Sequence, residues 1–361
     1  MAIPRDNLHY TLRTIDGYNL PFNYVISERE PGKTTAAILD KVYKEWKENR
    51  YQTVIFKRQV NHITDAYIED IGKIINLFTD DHVVLQYKQT ELSQGIVNVR
   101  INGEDFMRIV ALSVKMSALK SLVVLNLKYM LFDEFICNPK WDEKYLKGEA
   151  DRFMEVYNTY KRFAIDGRLK CYFLGNPYSL YNPYFSFFGV DTSKLRRGAI
   201  VTDGKRYVIE CYEMKKELKE KILRENPLAT MDNAYSKYAF DGLNINDANI
   251  TIRTQIPEHY PMRYSFRVQG KVIAVYSADW MHVDMKTAEF AYYARFVDPE
   301  SISKRRDIIC FDFDELVENT ALLSPEDRNK FSKLKAAMRN RDIAFSTIET
   351  YYLLEEVYFN L

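Results

Sequence analysis

Short apolar runs alternate with longer stretches of helical periodicity through the first half of the chain. Residues 22–26 (FNYVI) read as a buried strand. They lead into SEREPGKT and a helix over about 34–49, where Ile38, Leu39, Val42, Tyr43 and Trp46 recur at helical spacing. Residues 53–57 (TVIFK) form another strand, and 63–78 a second amphipathic helix with Ile63, Tyr67, Ile71, Ile74, Ile75 and Phe78 on one side. Paired strands at 83–88 and 96–101 precede the hairpin turn Asn102-Gly103 and a strand at 106–112. A buried strand at 127–132 ends in Asp133-Glu134; a helix at about 149–163 and a strand at 170–174 follow. Strands alternating with helices predict an α/β domain with a mainly parallel sheet covered on both faces.

The pattern then changes. Residues 214–225 (MKKELKEKILRE) make a helix of mixed charge, and 226–249 are polar and irregular, as in a linker or lid. Beyond them, 263–268, the turn Gln269-Gly270 and 272–276 form a hairpin, and helices close the chain at 328–338 and 346–358. The expected organisation is a domain over 1–205, a helical linker over 206–250 and a small α+β domain over 251–361.

A chain of 361 residues favours two cores over one. With 47% apolar and 28% charged residues it is neither disordered nor fibrous. The net charge of +1 gives no global attraction for a polyanion, so any grip on one must be local. Cys137, Cys171, Cys211 and Cys310 form no CxxC pair, and the five histidines no ligand-spaced pair, which argues against a disulfide framework and a histidine metal site. No signal segment opens the chain, and the greasy stretch 122–132 is too short to cross a bilayer. A cytoplasmic protein without a membrane partner is expected.

Two segments carry chemistry. Ser27-Glu28-Arg29-Glu30-Pro31-Gly32-Lys33-Thr34 fits GxxxxGK[ST] except that Ser27 replaces the first glycine. Set between a strand and a helix, such a loop turns backbone N–H groups and a positive helix end toward phosphates. Lys33 would reach the outer phosphates, and Thr34 would give its hydroxyl to Mg²⁺; Thr35 continues the nucleotide-binding run. Glu28 and Glu30 would repel phosphate if they pointed inward, so both are expected to face out, with Arg29 compensating. The second segment, 127–134, delivers two carboxylates at the end of an apolar strand. Asp133 would hold Mg²⁺ and Glu134 would polarise the attacking water, an ATP site.

With these residues in view, the chain resembles the DNA-packaging motor ATPases of small tailed bacteriophages, relatives of the terminase large subunits. The likeness rests on Arg29 within the deviant loop, on LFDEF (131–135), and on Leu174-Gly175-Asn176-Pro177 followed by Tyr181-Asn182-Pro183-Tyr184-Phe185. It implies an ASCE/RecA-like P-loop NTPase domain followed by a small RNase H-like, vestigial nuclease domain. It also implies a homomeric ring, usually of five subunits, on the portal of a prohead in the host cytoplasm. Such a ring moves double-stranded DNA without regard to sequence, with a packaging RNA as a further partner. Asn176, at a strand tip, would sense the γ-phosphate or orient water; capping a turn before Pro177 is the other role open to it. The aromatic run 181–188 is expected to pack on the sheet. An arginine lent to a neighbour's ATP is expected between the DEF and LGNP strands: Arg162, with Lys161, Arg152 and Arg168 as rivals. Arg29 joins Glu134, Arg162 and Asn176 as a catalytic candidate. Lys57 and Arg58 would pair with Glu134 or face the DNA.

In larger terminases the second domain is a two-metal nuclease. Here Asp279, Asp284, Asp298, Asp312 and Asp314 follow the hairpin, but Ala274 and Val275 occupy the strand centre where a catalytic acid is expected. A translocating ATPase is therefore the leading reading. A terminase with a working nuclease and a non-motor P-loop ATP-binding module are the alternatives.

Overall fold

Apolar residues on both faces of Phe22–Ile26 and Gln52–Lys57 leave these strands no solvent side, and all their residues are buried. Only the interior of a sheet covered by helices satisfies that demand. The computed structural model describes residues 6–137, 144–178, 182–225, 250–257, 259–268, 270–278, 290–302, 309–312, 331–340 and 342–360. The chain divides into two units, 1–245 and 246–361.

The first unit begins with α1 (Arg13–Tyr18) and β1 (Phe22–Ile26). After the phosphate-loop sequence comes α2 (Lys33–Ala37), which runs through a π-helical segment (Ile38–Tyr43) into α3 (Lys44–Asn49). Next are β2 (Gln52–Lys57) and α4 (Asp65–Phe78), whose N-cap Thr64 accepts from the Tyr67 N–H and which buries Ile68, Ile71 and Ile75. A short β3 (Leu85–Gln86), α5 (Gln89–Gln94), β4 (Ile96–Ile101) and β5 (Glu104–Ala111) follow, with Asn102 and Gly103 both left-handed in the hairpin turn. The remainder is α6 (Met116–Ser121), β6 (Leu127–Asp133), α7 (Glu149–Tyr160), β7 (Lys170–Gly175), α8 (Pro183–Phe188), β8 (Ile200–Thr202), β9 (Tyr207–Cys211) and α9 (Lys216–Glu225).

Among the described residues the sheet has nine strands in the order β3-β4-β5-β2-β6-β7-β1-β9-β8. The six from β5 to β9 run parallel, and the edge strands β3, β4 and β8 pair antiparallel. Thus β7 stands between the phosphate-loop strand β1 and the carboxylate strand β6, within the mainly parallel sheet that the sequence pattern predicts. Separate apolar layers cover the two faces, one including Phe56, Phe132, Phe153 and Phe173, the other Val25, Ile55, Ile71 and Leu131. Tyr184, Phe185 and Phe188 of the aromatic run lie in the first layer, whereas Phe187 is exposed.

The sheet does not stop at residue 205. Because β9 pairs with β1 and α9 buries Leu218 and Ile222 in the first unit's core, the boundary drawn there cuts through the domain. The cause is that β9 is a five-residue strand whose place is set by pairing with residues nearly two hundred positions earlier, which no local periodicity records. The polar stretch 226–249 lies outside the described residues.

In the second unit β10 (Thr251–Ile252) precedes a meander of β11 (Met262–Val268), β12 (Lys271–Ser277) and β13 (Tyr292–Phe296). There follow β14 (Ile309–Asp312), α10 (Ser332–Asn340), β15 (Ile343–Phe345) and α11 (Ile348–Asn360). The order is β10-β15-β13-β12-β11-β14, with β14 parallel to the meander's first strand. That first strand is β11, not the 272–276 segment, and its centre is Ser265. Asp298 caps a 3-10 turn and Asp312 pairs with Arg267, while Asp279, Asp284 and Asp314 lie outside the described residues.

Candidate active site

Parallel strands point their C-terminal ends the same way, so β1, β2, β6 and β7 bring Ser27, Lys57, Asp133 and Gly175-Asn176 to one edge. This is where open α/β sheets hold ligands. Glu30 (φ 74°) and Gly32 (φ 89°) are both left-handed, which folds the loop back on itself before α2 begins at Lys33. Pro31 is fixed from outside by the Tyr10 N–H, which donates to its carbonyl at 2.7 Å.

Lys33 is buried, and its ammonium donates to the Ser27 carbonyl (2.9 Å), Ser27 Oγ (2.8 Å), the Glu28 carbonyl (2.9 Å) and Asn176 Oδ1 (3.2 Å). Burial draws its pKa down to about 7, against the pull of Asp133 and Glu28. At the next residue, Thr34 Oγ1 donates to Asp133 Oδ1 at 3.0 Å, joining residues 99 positions apart. The other oxygen, Oδ2, accepts from the Lys57 ammonium at 3.1 Å, and that ammonium lies 3.9 Å from the centre of the Tyr67 ring. Burial opposes the charge on Lys57, but Asp133 outweighs it and holds the lysine pKa above its ordinary value. A hydroxyl and a carboxylate in contact are the hard-oxygen donor pair that suits Mg²⁺. Thr35 is half-buried in the first turn of α2.

Glu134 is exposed and left-handed (φ 62°), a strained backbone for a residue with a long side chain. Arg58 braces this turn, donating to the carbonyls of Glu134 (3.3 Å) and Phe135 (2.7 Å). The same guanidinium grips Glu149 at 2.9 and 3.1 Å, and Glu149 also accepts from Tyr184 Oη (3.0 Å) and the Leu146 N–H (2.8 Å). Gly175 lets this turn pass close by, since a Cβ there would lie 2.8 Å from the Phe135 ring and 3.0 Å from Ile136. Arg29 donates to Tyr178 Oη at 3.0 Å, tying the phosphate loop to the LGNP segment.

Two expectations are corrected. Lys57 and Arg58 are not placed to meet DNA: both are buried, Lys57 against Asp133 and Arg58 against Glu149, and neither salt bridge is with Glu134. Their carboxylate partners lie 76 and 91 positions away, so a strand followed by two cations looked like a surface. Nor does Glu28 face out. It is 3% exposed, with Oε1 3.3 Å from the Arg197 guanidinium, whereas Glu30 is exposed.

Arg162 is exposed on a 3-10 turn (Lys161–Phe163) just before Ala164, which bridges to Leu127 at the start of β6. Asp133 ends that strand six residues on, about 20 Å away at strand rise, so Arg162 cannot reach its own chain's phosphate loop. Among its rivals, Arg152 is engaged by the carbonyls of Leu112 and Val114; Lys161 and Arg168 are exposed near Arg162. Sequence reasoning missed Glu149, Tyr178, Tyr67 as a cation partner, and Arg197. Only Glu149 carried a local signal, as an acid at a helix start after Gly148.

Comparison with known proteins places this geometry. A family model described as podovirus DNA encapsidation protein (Gp16) matches residues 5–359. The DNA packaging proteins of Bacillus phages PZA and phi29 are each 24% identical over 341 residues, covering 94% of this chain and 93% of theirs. Among solved structures, the bacteriophage phi29 genome packaging motor assembly matches with a TM-score of 0.58 at 19% identity, over 98% of this chain and 99% of the other. A chain of the phi-28 gp11 DNA packaging motor matches with a TM-score of 0.57 at 16% identity, over 98% and 97%. Similarity at these identities establishes a shared fold over nearly the whole chain.

Proposed function

The chain belongs to the podovirus DNA encapsidation protein (Gp16) family, and on that footing we propose that it is the ATP-hydrolysing subunit of a viral DNA-packaging motor. The observation that carries this reading is the meeting of Thr34 and Asp133 at 3.0 Å beside the Lys33 ammonium. Lys33 binds the outer phosphates. Thr34 and Asp133 would hold Mg²⁺, which when bound draws off charge developing on phosphoryl oxygens. Glu134 accepts the proton of the attacking water, its backbone turn held by Arg58. Asn176, already bonded to Lys33, reads the presence of the terminal phosphate. Lys57 offsets the charge of buried Asp133.

The subunits form a ring, five by family likeness, on the prohead portal in the host cytoplasm, with double-stranded DNA and a packaging RNA as partners. DNA is contacted mainly through phosphates, as sequence-independent movement requires. Arg162, out of reach of its own site, is lent to a neighbour's. The second unit acts as a docking module without nuclease activity.

The test is ATP turnover with and without DNA. Lys33→Ala and Glu134→Gln are each expected to lower turnover at least about a hundredfold, with Glu134→Gln still binding ATP. Mixing Arg162→Ala with Glu134→Gln subunits should recover part of the activity, because each lesion spoils a different half of a shared site. Normal hydrolysis by Glu134→Gln removes it as the base, and no recovery at any mixing ratio removes Arg162 as the lent arginine. Turnover indifferent to DNA would favour an ATP-binding module over a motor.

A further inference from the structure

A phosphate loop with a carboxylate turned inward is an electrostatic contradiction, and the structure shows how it is relieved. Glu28 follows the last residue of β1 by two positions, and its carbonyl lies 2.9 Å from the Lys33 ammonium. Its side chain is 3% exposed, and Oε2 is buried without a hydrogen-bond partner. Left alone, that charge would oppose any polyanion entering the cradle. Arg197, 169 positions later, places its guanidinium 3.3 Å from Oε1 while remaining 38% exposed.

The backbone around Arg197 is fixed. The Ala199 N–H donates to the Arg196 carbonyl (2.9 Å), and the Gly198 N–H to the Cys211 carbonyl (2.7 Å). The Cys211 N–H returns to the Ala199 carbonyl (2.9 Å), and the Tyr212 N–H donates to the Ile26 carbonyl (2.8 Å), next to the loop itself. Arg197 is therefore presented to Glu28 by the end of the strand that pairs with β1.

We propose that Arg197 is the built-in counter-ion of Glu28 and thereby sets the affinity of this phosphate loop for nucleoside di- and triphosphates. It is a positioning residue: it neutralises the loop's own carboxylate so that the backbone amides and Lys33 act on the ligand unopposed. The proposal rests on the ATP-site reading above and adds a residue that the GxxxxGK[ST] pattern does not contain.

Calorimetric titration of the full chain with Mg-ADP tests it. Arg197→Ala, and the longer Arg197→Gln should the first fail to fold, are expected to weaken binding about tenfold or more, the order set by one uncompensated charge near the phosphates. Arg197→Lys, which keeps the charge, should stay within about threefold of the parent. Glu28→Gln should bind tighter than the parent, and Glu28→Gln combined with Arg197→Ala should regain the parent's affinity. That rescue separates action through Glu28 from a structural role or a direct contact, since neither would be cured by removing the carboxylate. Parent-like binding by Arg197→Ala or Arg197→Gln, or a double variant as weak as Arg197→Ala, overturns the proposal while leaving the ATP site standing. A parent chain that binds no ADP overturns both.

Discussion

Replacing Arg58 by methionine separates what this residue does for stability from what it does for chemistry. The guanidinium and the Glu149 carboxylate are 4% and 0% exposed, so the variant leaves a carboxylate in the interior with two hydrogen bonds, from Tyr184 and Leu146. Stranding a buried charge in this way costs about 3–5 kcal/mol. With a urea slope of about 1–3 kcal/mol/M, the unfolding midpoint seen by far-UV circular dichroism should fall by more than about 1 M. Adding Glu149→Gln removes the stranded charge; its one amide oxygen can accept from the Leu146 N–H while its NH2 donates to the Tyr184 hydroxyl, and most of the loss should return. Turnover should not return with it. The carbonyls of Glu134 and Phe135 would still lack the guanidinium that donates to them, and the left-handed Glu134 backbone (φ 62°) is a conformation that costs on the order of 1–3 kcal/mol. A midpoint shift worth less than about 1 kcal/mol for the single variant would refute the burial argument, and full ATP turnover in the double variant would refute the bracing role.

Three further outcomes follow from the same geometry. Burial lowers Lys33 from its ordinary 10.5 to about 7, so between those values the unfolded chain carries a proton that the folded one lacks. Its contribution to stability therefore rises with pH across that window, while phosphate binding restores the ammonium. Nucleotide affinity should fall from pH 7 to 9 with up to about one proton taken up, measurable by calorimetry in buffers of different ionisation enthalpy; an affinity flat over that range would contradict it. Gly175→Ala would bring a methyl to 2.8 Å from the Phe135 ring, forcing the Glu134 turn aside at about 1–3 kcal/mol; unchanged stability and turnover would show the turn is not confined there. Asn182, fully buried, caps α8 by accepting the Phe185 N–H at 3.0 Å, and Asn182→Ala should lower thermal stability by about 1 kcal/mol, checked by the melting midpoint.

Local pattern made much of the fold legible. β1 and the Leu127–Asp133 strand could be read because a parallel strand buried on both faces is an unbroken apolar run, and α4 because its buried residues recur every three or four positions. The Thr34–Asp133 contact was within reach because Asp133 ends a strand and Thr34 opens the helix after the loop, where the phosphate-loop pattern expects them. What escaped has one cause: partner choice at long range. Glu28, Lys57 and Arg58 each looked like surface charge, and each is buried against a partner 76 to 169 positions away. The place of β9 was hidden for the same reason, since a strand's neighbour is not written in its own periodicity. Arg162 differs: it is exposed on its turn, and the role proposed for it needs a second subunit, which one chain's sequence cannot display.

The charges at the strand ends explain why the deviant loop can still be a nucleotide site. Lys33, Lys57, Arg29 and Arg197 lie among Glu28, Asp133 and Glu134, a set of four cations and three anions. Two anions are held by specific cations, Asp133 by Lys57 and Glu28 by Arg197, and so do not oppose an incoming phosphate at full strength. Lys33 is different: its four acceptors are two carbonyls, a hydroxyl and an amide, all neutral, and burial prevails over the nearby carboxylates in disfavouring its charge, as it does not for Lys57. A polyanion therefore gains most by taking Lys33, because it relieves a desolvated ammonium without breaking an ion pair. The acceptors that hold Lys33 include Ser27, the residue after β1, and Asn176, the residue after β7. A ligand that drew the ammonium away would loosen a tie between the ends of β1 and β7, which are neighbours in the sheet.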